Sequence, residues 1–170
     1  MSPSDRRRTT ELYLLRHAHA GDPEGWTGDD ADRPLSAKGE RQSERLGAFL
    51  AGVGFQPDAV VSSPKVRARQ TAELVARQLG VEVRLDDRLA GGFDATTVDS
   101  ILADLGGPSR PVLVGHDPDF SELLGWLARA DGLTMKKGAF ARVDVVGPVA
   151  SGQGTLRWLV PPDLLEDRRG

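Results

Sequence analysis

Short apolar runs alternate with longer segments of helical periodicity along nearly the whole chain. Pro111–Gly115 (P-V-L-V-G) is apolar throughout, as in strands that are buried on both faces of a parallel sheet. Strands that alternate with helices indicate βαβ crossovers. The sequence therefore predicts an α/β fold, a three-layer sandwich with helices on both faces of a mostly parallel central sheet. The predicted strands are Glu11–Leu15, Asp58–Ser62, Val81–Leu85, Pro111–Gly115, Gly138–Val146 and Thr155–Val160.

Capping residues mark where the predicted helices begin. Ser36 is the candidate N-cap of the first helix. Ser63-Pro64 and Asp117-Pro118 each place a capping side chain before a proline, which is favoured at the first helical position. We expect Trp126 to be buried, because it falls on the apolar stripe of the last helix. The predicted helices are one capped by Ser36, with helical spacing of apolar residues from Glu40 to Val53, then Pro64–Leu79, Thr96–Leu105 and a fourth that carries Phe120, Leu123, Leu124, Trp126 and Leu127.

Length and composition limit the possible functions. The chain has 170 residues and a net charge of −3, so we expect one domain at residues 10–165, preceded by a disordered arm at residues 1–9. Without a basic surplus, no nucleic-acid partner is expected. The chain has no cysteine, which excludes disulfides, thiolate catalysis and cysteine metal sites and favours the cytoplasm. No apolar run has the length of a signal peptide or a membrane span, so no membrane partner is expected.

Polar side chains follow three of the predicted strands. Arg16-His17 ends the first strand, Ser62-Ser63 ends the second with Arg67 one turn into the next helix, and His116 follows Gly115. In open α/β sheets, sites form beyond the carboxyl ends of the strands. If these ends meet, two guanidinium groups, two imidazoles and two helix N-termini surround one pocket, a combination that favours an anion such as phosphate.

The Arg-His pair also suggests a reaction. A neutral imidazole is a good nucleophile toward phosphorus. A neighbouring arginine can bind the equatorial oxygens of the transferring group as their charge builds up. The pattern therefore predicts covalent phosphoryl transfer.

Four ordered pieces of the sequence carry a family resemblance. They are L-L-R-H-A-H-A at 14–20, D-R-P-L-S-A-K-G at 32–39, V-S-S-P-K-V-R-A-R-Q-T-A-E at 61–73 and V-L-V-G-H-D-P at 112–118. In order and spacing the chain resembles the histidine phosphatase (phosphoglycerate mutase-like) superfamily, and within it the SixA-type phosphohistidine phosphatases. G-A-F-A-R-V-D-V at 138–145 and W-L-V-P-P at 158–162 extend the resemblance over nearly the whole domain.

The resemblance implies roles for individual residues. His17 would be the nucleophile that becomes phosphorylated, and Arg16, Arg67 and His116 would complete the phosphate pocket. Arg33 would lie at the edge of that pocket and steer or orient the substrate. The family implies a phosphoglycerate mutase-like fold and requires neither a metal nor a cofactor.

Two departures from the family pattern bear on the substrate. The common motif is R-H-G, whereas this chain has Ala18, which fits if the backbone there avoids positive φ. Many members place a glutamate general acid where this chain has Ala90, and Asp94 is the nearest substitute, as an acid or merely as a helix cap. A phosphohistidine leaves as imidazole and needs less acid catalysis than an alkoxide. The gap therefore favours a phosphohistidine protein as substrate.

Two other functions stay open at this point. One is a small-molecule phosphomonoesterase, and the other is a non-catalytic module that binds phosphorylated ligands. Loops 21–34 and 86–95 shape the entrance and so bear on the size of the substrate. Trp26 is equally compatible with the entrance and with a lid, His19 is expected at the rim, and Arg69 is expected on the solvated surface.

Overall fold

One six-stranded sheet forms the centre of the computed structural model, which describes residues 8–167. Along the sheet the strands lie in the order β3-β2-β4-β1-β5-β6. The first four in that order are parallel, whereas β5 and β6 are antiparallel to their neighbours. The strands are β1 Thr9–Arg16, β2 Ala59–Ser62, β3 Arg84–Leu85, β4 Pro111–Gly115, β5 Phe140–Val146 and β6 Gly154–Val160.

Helices cover both faces of this sheet. Alternate residues of β1 point to opposite sides: Leu12 and Leu14 pack with α3 and α4, whereas Tyr13 and Leu15 pack with α1 and α2. The predicted three-layer sandwich around a mostly parallel sheet is confirmed. Within residues 8–167, no helix is both long and apolar enough to cross a membrane. The helices are α1 Ala37–Gly52, α2 Val66–Leu79, α3 Ala95–Asp104 and α4 Asp119–Ala128, with 3₁₀ turns at Pro23–Gly25, Asp30–Asp32, Asp87–Ala90 and Pro162–Leu165.

Two helices begin later than the capping signals predict. α2 starts at Val66, because the Ser63 hydroxyl accepts a hydrogen bond from the Lys65 amide before the helix begins. α4 starts at Asp119, after a cis peptide between Asp117 and Pro118. Ser63 lies next to His116, whereas Asp117 lies next to Arg16 and also accepts a hydrogen bond from the Ser121 amide in the first turn of α4.

The edge strand is also shorter than predicted. The prediction of a strand from Val81 was wrong at its start, since the Val81 amide bonds the carbonyl of Ala76 and closes the end of α2. Gly80 makes this turn possible with a φ of 70°. The predicted arm at residues 1–9 lies outside the described residues except for its last two residues, and Thr9 already belongs to β1.

Trp126 is not in the core, so that prediction was wrong. Its side chain is 42% exposed, while Leu123, Leu124 and Leu127 are buried beneath α4. At 100° per residue Trp126 falls at the edge of the buried stripe rather than within it. Its indole consequently faces a groove on the surface.

Candidate active site

The carboxyl ends of three parallel strands meet at one edge of the sheet. In the register of the sheet, Arg16 of β1 lies beside Gly115 of β4. The His17 amide donates to the carbonyl of Gly115 at 2.9 Å, and the Ser63 amide donates to that of Val114 at 2.9 Å. As a result the rings of His17 and His116 lie with their centroids 5.2 Å apart.

His17 is held as a neutral, oriented ring. It is 6% exposed, and its Nδ1 lies 2.8 Å from the carbonyl oxygen of Ala18. A carbonyl can only accept, so Nδ1 carries the proton and Nε2 keeps its lone pair. Burial lowers the pKa of His17 to about 3, and Arg67 and Arg16 lower it further against the effect of the backbone hydrogen bond. The unprotonated Nε2 is the form of the ring that can attack phosphorus.

The second ring contacts Ser63. The Ser63 Oγ accepts from the Lys65 amide at 3.2 Å and lies 2.8 Å from His116 Nε2. We assign the hydroxyl as the donor of this hydrogen bond, an assignment that leaves the proton of the neutral ring on Nδ1. Burial lowers the pKa of His116 to about 3, followed by repulsion from His17 when that ring is protonated and by repulsion from Arg67. His116 therefore offers a neutral N–H donor.

Arg16 and Arg67 each form hydrogen bonds within the protein through only some of the nitrogens of their guanidinium groups. Arg16 Nη1 donates to the carbonyl of Met135 at 2.7 Å and lies 3.6 Å from the carboxylate of Asp117. Arg67 donates from Nη1 and Nη2 to the carbonyl and carboxylate of Asp30, at 2.7 and 3.0 Å. The Nε atoms of both arginines have no hydrogen-bond partner.

Buried polar atoms without a partner are concentrated at this edge of the sheet. Among residues 8–167 there are four such side-chain atoms, and three belong to the site: Arg16 Nε, Arg67 Nε and His116 Nδ1. The fourth, Arg69 Nε, lies 3.9 Å from the carboxylate of Glu73. Buried donors normally have partners. Three N–H donors beside a neutral imidazole suit a tetrahedral oxyanion.

Arg33 is linked to Arg67 through Asp30, an acidic residue that the sequence analysis did not identify as part of the site. Arg33 is 7% exposed and donates to the Asp30 carboxylate from Nε at 3.0 Å and to the carbonyl of Ala20 from Nη1 at 2.6 Å. Asp30 thus bridges Arg33 and Arg67, and the hydrogen bond from Arg33 is the main cause that holds its pKa below the ordinary value. No spacing rule identifies Asp30, because loop 21–34 contains several acidic residues.

Lys137 is a second residue missed by sequence reasoning. The Gly138 amide donates to the carbonyls of both Arg16 and His17, at 3.1 and 2.9 Å, which places Lys137 beside His17. Burial lowers the pKa of Lys137, and Arg16 is the next cause. Lys136 instead lies 3.7 Å from Asp163, away from this cluster. The G-A-F motif that follows Lys137 was the only sequence signal for this position, and it does not show which of Lys136 and Lys137 lies at the site.

Asp94 does not have the properties of a general acid. It is the N-cap of α3, and its Oδ1 accepts from the amide and hydroxyl of Thr97 at 3.0 and 3.1 Å. These bonds lower the pKa of this exposed carboxyl. Since it is ionised at neutral pH it has no proton to donate, and the helix-cap interpretation is the one that the structure supports.

The remaining sequence interpretations concern the rim. His19 is half-buried, with Nδ1 2.7 Å from the hydroxyl of Ser36. Trp26 is 38% exposed and donates from Nε1 to the Asp29 carbonyl, so it packs on its own loop and not over the core. Among the described residues the only non-glycine with positive φ is Arg129. Ala18 therefore replaces glycine without backbone strain.

The two buried rings make the stability of the protein depend on pH. In the unfolded chain a histidine titrates near 6.5, whereas His17 and His116 have pKa values of about 3 in the fold. Between these values the unfolded state binds more protons, so the free energy of unfolding decreases as pH falls below about 6.5. Each ring contributes a slope of about 1.4 kcal/mol per pH unit in this window.

Urea denaturation at several pH values between about 7.5 and 5.5 measures this slope, because most aspartates and glutamates stay ionised in that range. His17→Asn removes one of the rings and should reduce the slope. A free energy of unfolding that stays constant over this range would show that the rings titrate normally in the folded protein.

Comparison with known sequences gives one family and several relatives. The sequence model of the histidine phosphatase superfamily (branch 1) matches residues 12–92. An uncharacterised protein of Picosynechococcus sp. is 36% identical over 115 residues, which are 66% of this chain and 69% of the relative. An uncharacterised protein of Mycobacterium tuberculosis is 33% identical over 118 residues, or 69% of this chain and 72% of the relative.

Comparison of folds gives a similar result over a larger part of the chain. The structure of the protein histidine phosphatase SixA complexed with tungstate superposes with a TM-score of 0.79 and 26% sequence identity. The match covers 92% of this chain and all of that structure. The similarity therefore extends to strands β5 and β6, which lie beyond the region that the family model matches.

Proposed function

The chain belongs to the histidine phosphatase superfamily and is a phosphatase, and on that premise we propose that it hydrolyses protein phosphohistidine through a phosphorylated His17. Arg16, Arg67 and His116 bind the oxygens of the phosphoryl group. Arg33 orients the rim of the pocket through Asp30. The composition fits a soluble, SixA-like enzyme that works in the cytoplasm.

One observation carries this proposal: three buried N–H donors without a partner lie around a neutral histidine whose Nε2 has a free lone pair. Donors aimed at the position of a developing charge are the largest single source of catalysis in many enzymes. The tungstate of the SixA structure is a tetrahedral oxyanion of the kind such donors bind.

The proposed reaction has two displacements. His17 Nε2 attacks phosphorus and forms a P–N bond, while the P–N bond of the substrate breaks and its electron pair returns to the departing imidazole. That imidazole is readily protonated near neutral pH. Water then attacks phosphorus and loses a proton to solvent, and the electron pair of the enzyme's P–N bond returns to His17 as phosphate leaves.

The absence of a carboxylate at Ala90 supports a phosphohistidine substrate. Asp94, the nearest alternative, is committed as a helix cap and stays ionised. A positioned general acid is typically worth about 10²–10⁴-fold in rate. Without a general acid, the hydrolysis of phosphate esters loses this rate factor, because an alkoxide leaving group must receive a proton in the transition state. An imidazole leaving group does not need that proton.

A substrate panel tests the proposal. We expect kcat/KM on a phosphohistidine peptide to exceed that on a phosphoserine peptide and on several sugar phosphates by about 100-fold or more. A preference for the sugar phosphates would indicate a small-molecule phosphomonoesterase instead. Binding of phosphorylated ligands with no turnover of any of them would indicate a binding module and contradict the proposal.

A further inference from the structure

A groove of about 580 Å³ runs along the outer side of α4. Phe93, Leu123, Trp126 and Val149 supply much of its apolar wall. Trp126 is 42% exposed, a large apolar surface for a helix that otherwise buries its aromatic and leucine side chains. None of Arg16, His17, Arg67 and His116 lines the groove, so it is a separate feature of the surface.

The groove begins at the same edge of the sheet as the phosphate pocket. α4 starts three residues after His116, and the Gly92 amide donates to the Asp119 carboxylate at 3.0 Å, which joins loop 86–95 to the first turn of α4. The start of that loop is tied to the site as well, since the Asp86 amide bonds the carbonyl of Ser62. From Asp119 to Trp126 the helix rises about 10 Å. The groove therefore leads away from the pocket along α4.

The charge of the groove is opposite to that of the pocket. Asp94, Asp119 and Glu122 line it, and no lysine or arginine is present among its described lining residues. Arg16, Arg67 and Lys137 surround the nucleophile at the neighbouring site. One ligand that satisfies both surfaces has a phosphoryl group at one end and a cationic, partly apolar segment at the other.

We propose that this groove binds the polypeptide that flanks the phosphohistidine of a protein substrate, through a lysine or arginine next to an aliphatic or aromatic side chain. This inference rests on the proposed function and adds a preference for the sequence around the target histidine. The cation lies near Glu122 and the face of the Trp126 indole, which attracts cations, and the apolar side chain fills the space beside Leu123. A free phosphoramidate reaches the pocket without touching the groove.

Two substrates and two variants test the inference. One substrate is a phosphohistidine peptide with flanking lysine and phenylalanine, and the other is phosphoramidate, which has the same P–N bond and no chain. We expect Trp126→Ala and Glu122→Lys each to lower kcat/KM on the peptide by about 10-fold, as truncation of a central contact does in other interfaces. Turnover of phosphoramidate should stay within about twofold of the unmodified enzyme.

Matched controls lie on the opposite face of the sheet. Phe49→Ala removes an aromatic side chain of α1 that is 44% exposed, and Glu44→Lys reverses an exposed charge on the same helix. Neither should affect either substrate. Exchanging the peptide's lysine for glutamate should lower kcat/KM with the unmodified enzyme and raise it with Glu122→Lys.

The outcomes separate the two proposals. If the unmodified enzyme cleaves both substrates and the groove variants cleave the peptide as well as it does, the groove is not a docking site, although the proposed function stands. If the unmodified enzyme cleaves neither substrate, the proposed function fails and the docking inference fails with it. Equal losses on peptide and phosphoramidate would show that the variants disturb the pocket, which also overturns the inference.

Discussion

His17→Ala is expected to abolish turnover, with a fall in kcat on the order of 10⁴-fold or more, the scale seen when a nucleophile is removed from other enzymes. The Nδ1 of His17 is bonded to the carbonyl of Ala18 and its Nε2 is unprotonated, which makes this ring the proposed carrier of the covalent intermediate. Arg16, Arg67 and His116 remain in place, and the variant should still bind an oxyanion such as tungstate. Steady-state kinetics and tungstate titration measure the two properties separately.

His19→Ala is the control for this experiment. His19 is two residues away, half-buried, and bonds the hydroxyl of Ser36, so its loss should leave most of the activity. Brief incubation with a labelled phosphodonor followed by an alkaline quench should leave label on the unmodified enzyme and on His19→Ala, but not on His17→Ala. Near-normal turnover by His17→Ala would mean that another residue is the nucleophile.

Arg67→Ala carries the second largest expected effect, a loss of about 10²–10³-fold in kcat/KM, as for the removal of one donor of an oxyanion hole. Arg67 is 6% exposed, and its Nε is one of the three unpaired donors. Arg67→Lys keeps the charge but lacks the planar fork, so it should recover only part of the loss. The Asp30 carboxylate is 55% exposed and stays hydrated when its partner is removed. The fold should therefore survive the change.

Arg69→Ala, two residues further along α2, is the matched control. Its side chain is 42% exposed and lies 3.9 Å from Glu73, a surface pair that contributes little to stability. We expect kcat/KM within about twofold of the unmodified enzyme. Equal activity of Arg67→Ala and Arg69→Ala would contradict a phosphate-binding role for Arg67.

The sequence predicted the edge of the sheet where the site lies, because parallel strands end at the same edge. Arg16-His17 and His116 are neighbours because β1 and β4 are adjacent in the sheet, an order that the local pattern did not predict. Their roles in catalysis stay predictions until the variants are measured. The contacts of Asp30 depend on how loop 21–34 packs, and no local pattern encodes that packing.

The errors share a physical cause. Capping propensity predicted that α2 begins directly after Ser63, but the Ser63 hydroxyl bonds His116 and the helix begins at Val66. Asp117 does bond the Ser121 amide of α4, as a cap would, and it also lies 3.6 Å from Arg16. Trp126 was expected in the core because the periodicity of the sequence shows which face of α4 is apolar. The periodicity does not show how much of that face the rest of the protein covers. Local sequence rules thus failed at Ser63, where a tertiary contact uses the side chain that was expected to cap a helix. They also failed at Trp126, where no other part of the protein covers an apolar side chain.

The peptide that carries Arg16 and His17 is hydrogen-bonded on both sides. The His17 amide bonds Gly115, the Arg16 amide bonds Ala139, and the Gly138 amide bonds the carbonyls of both residues. Fixing the backbone of one residue costs about 1–2 kcal/mol of conformational entropy. Here that cost is met once, when the sheet assembles, and is not incurred again in each catalytic cycle.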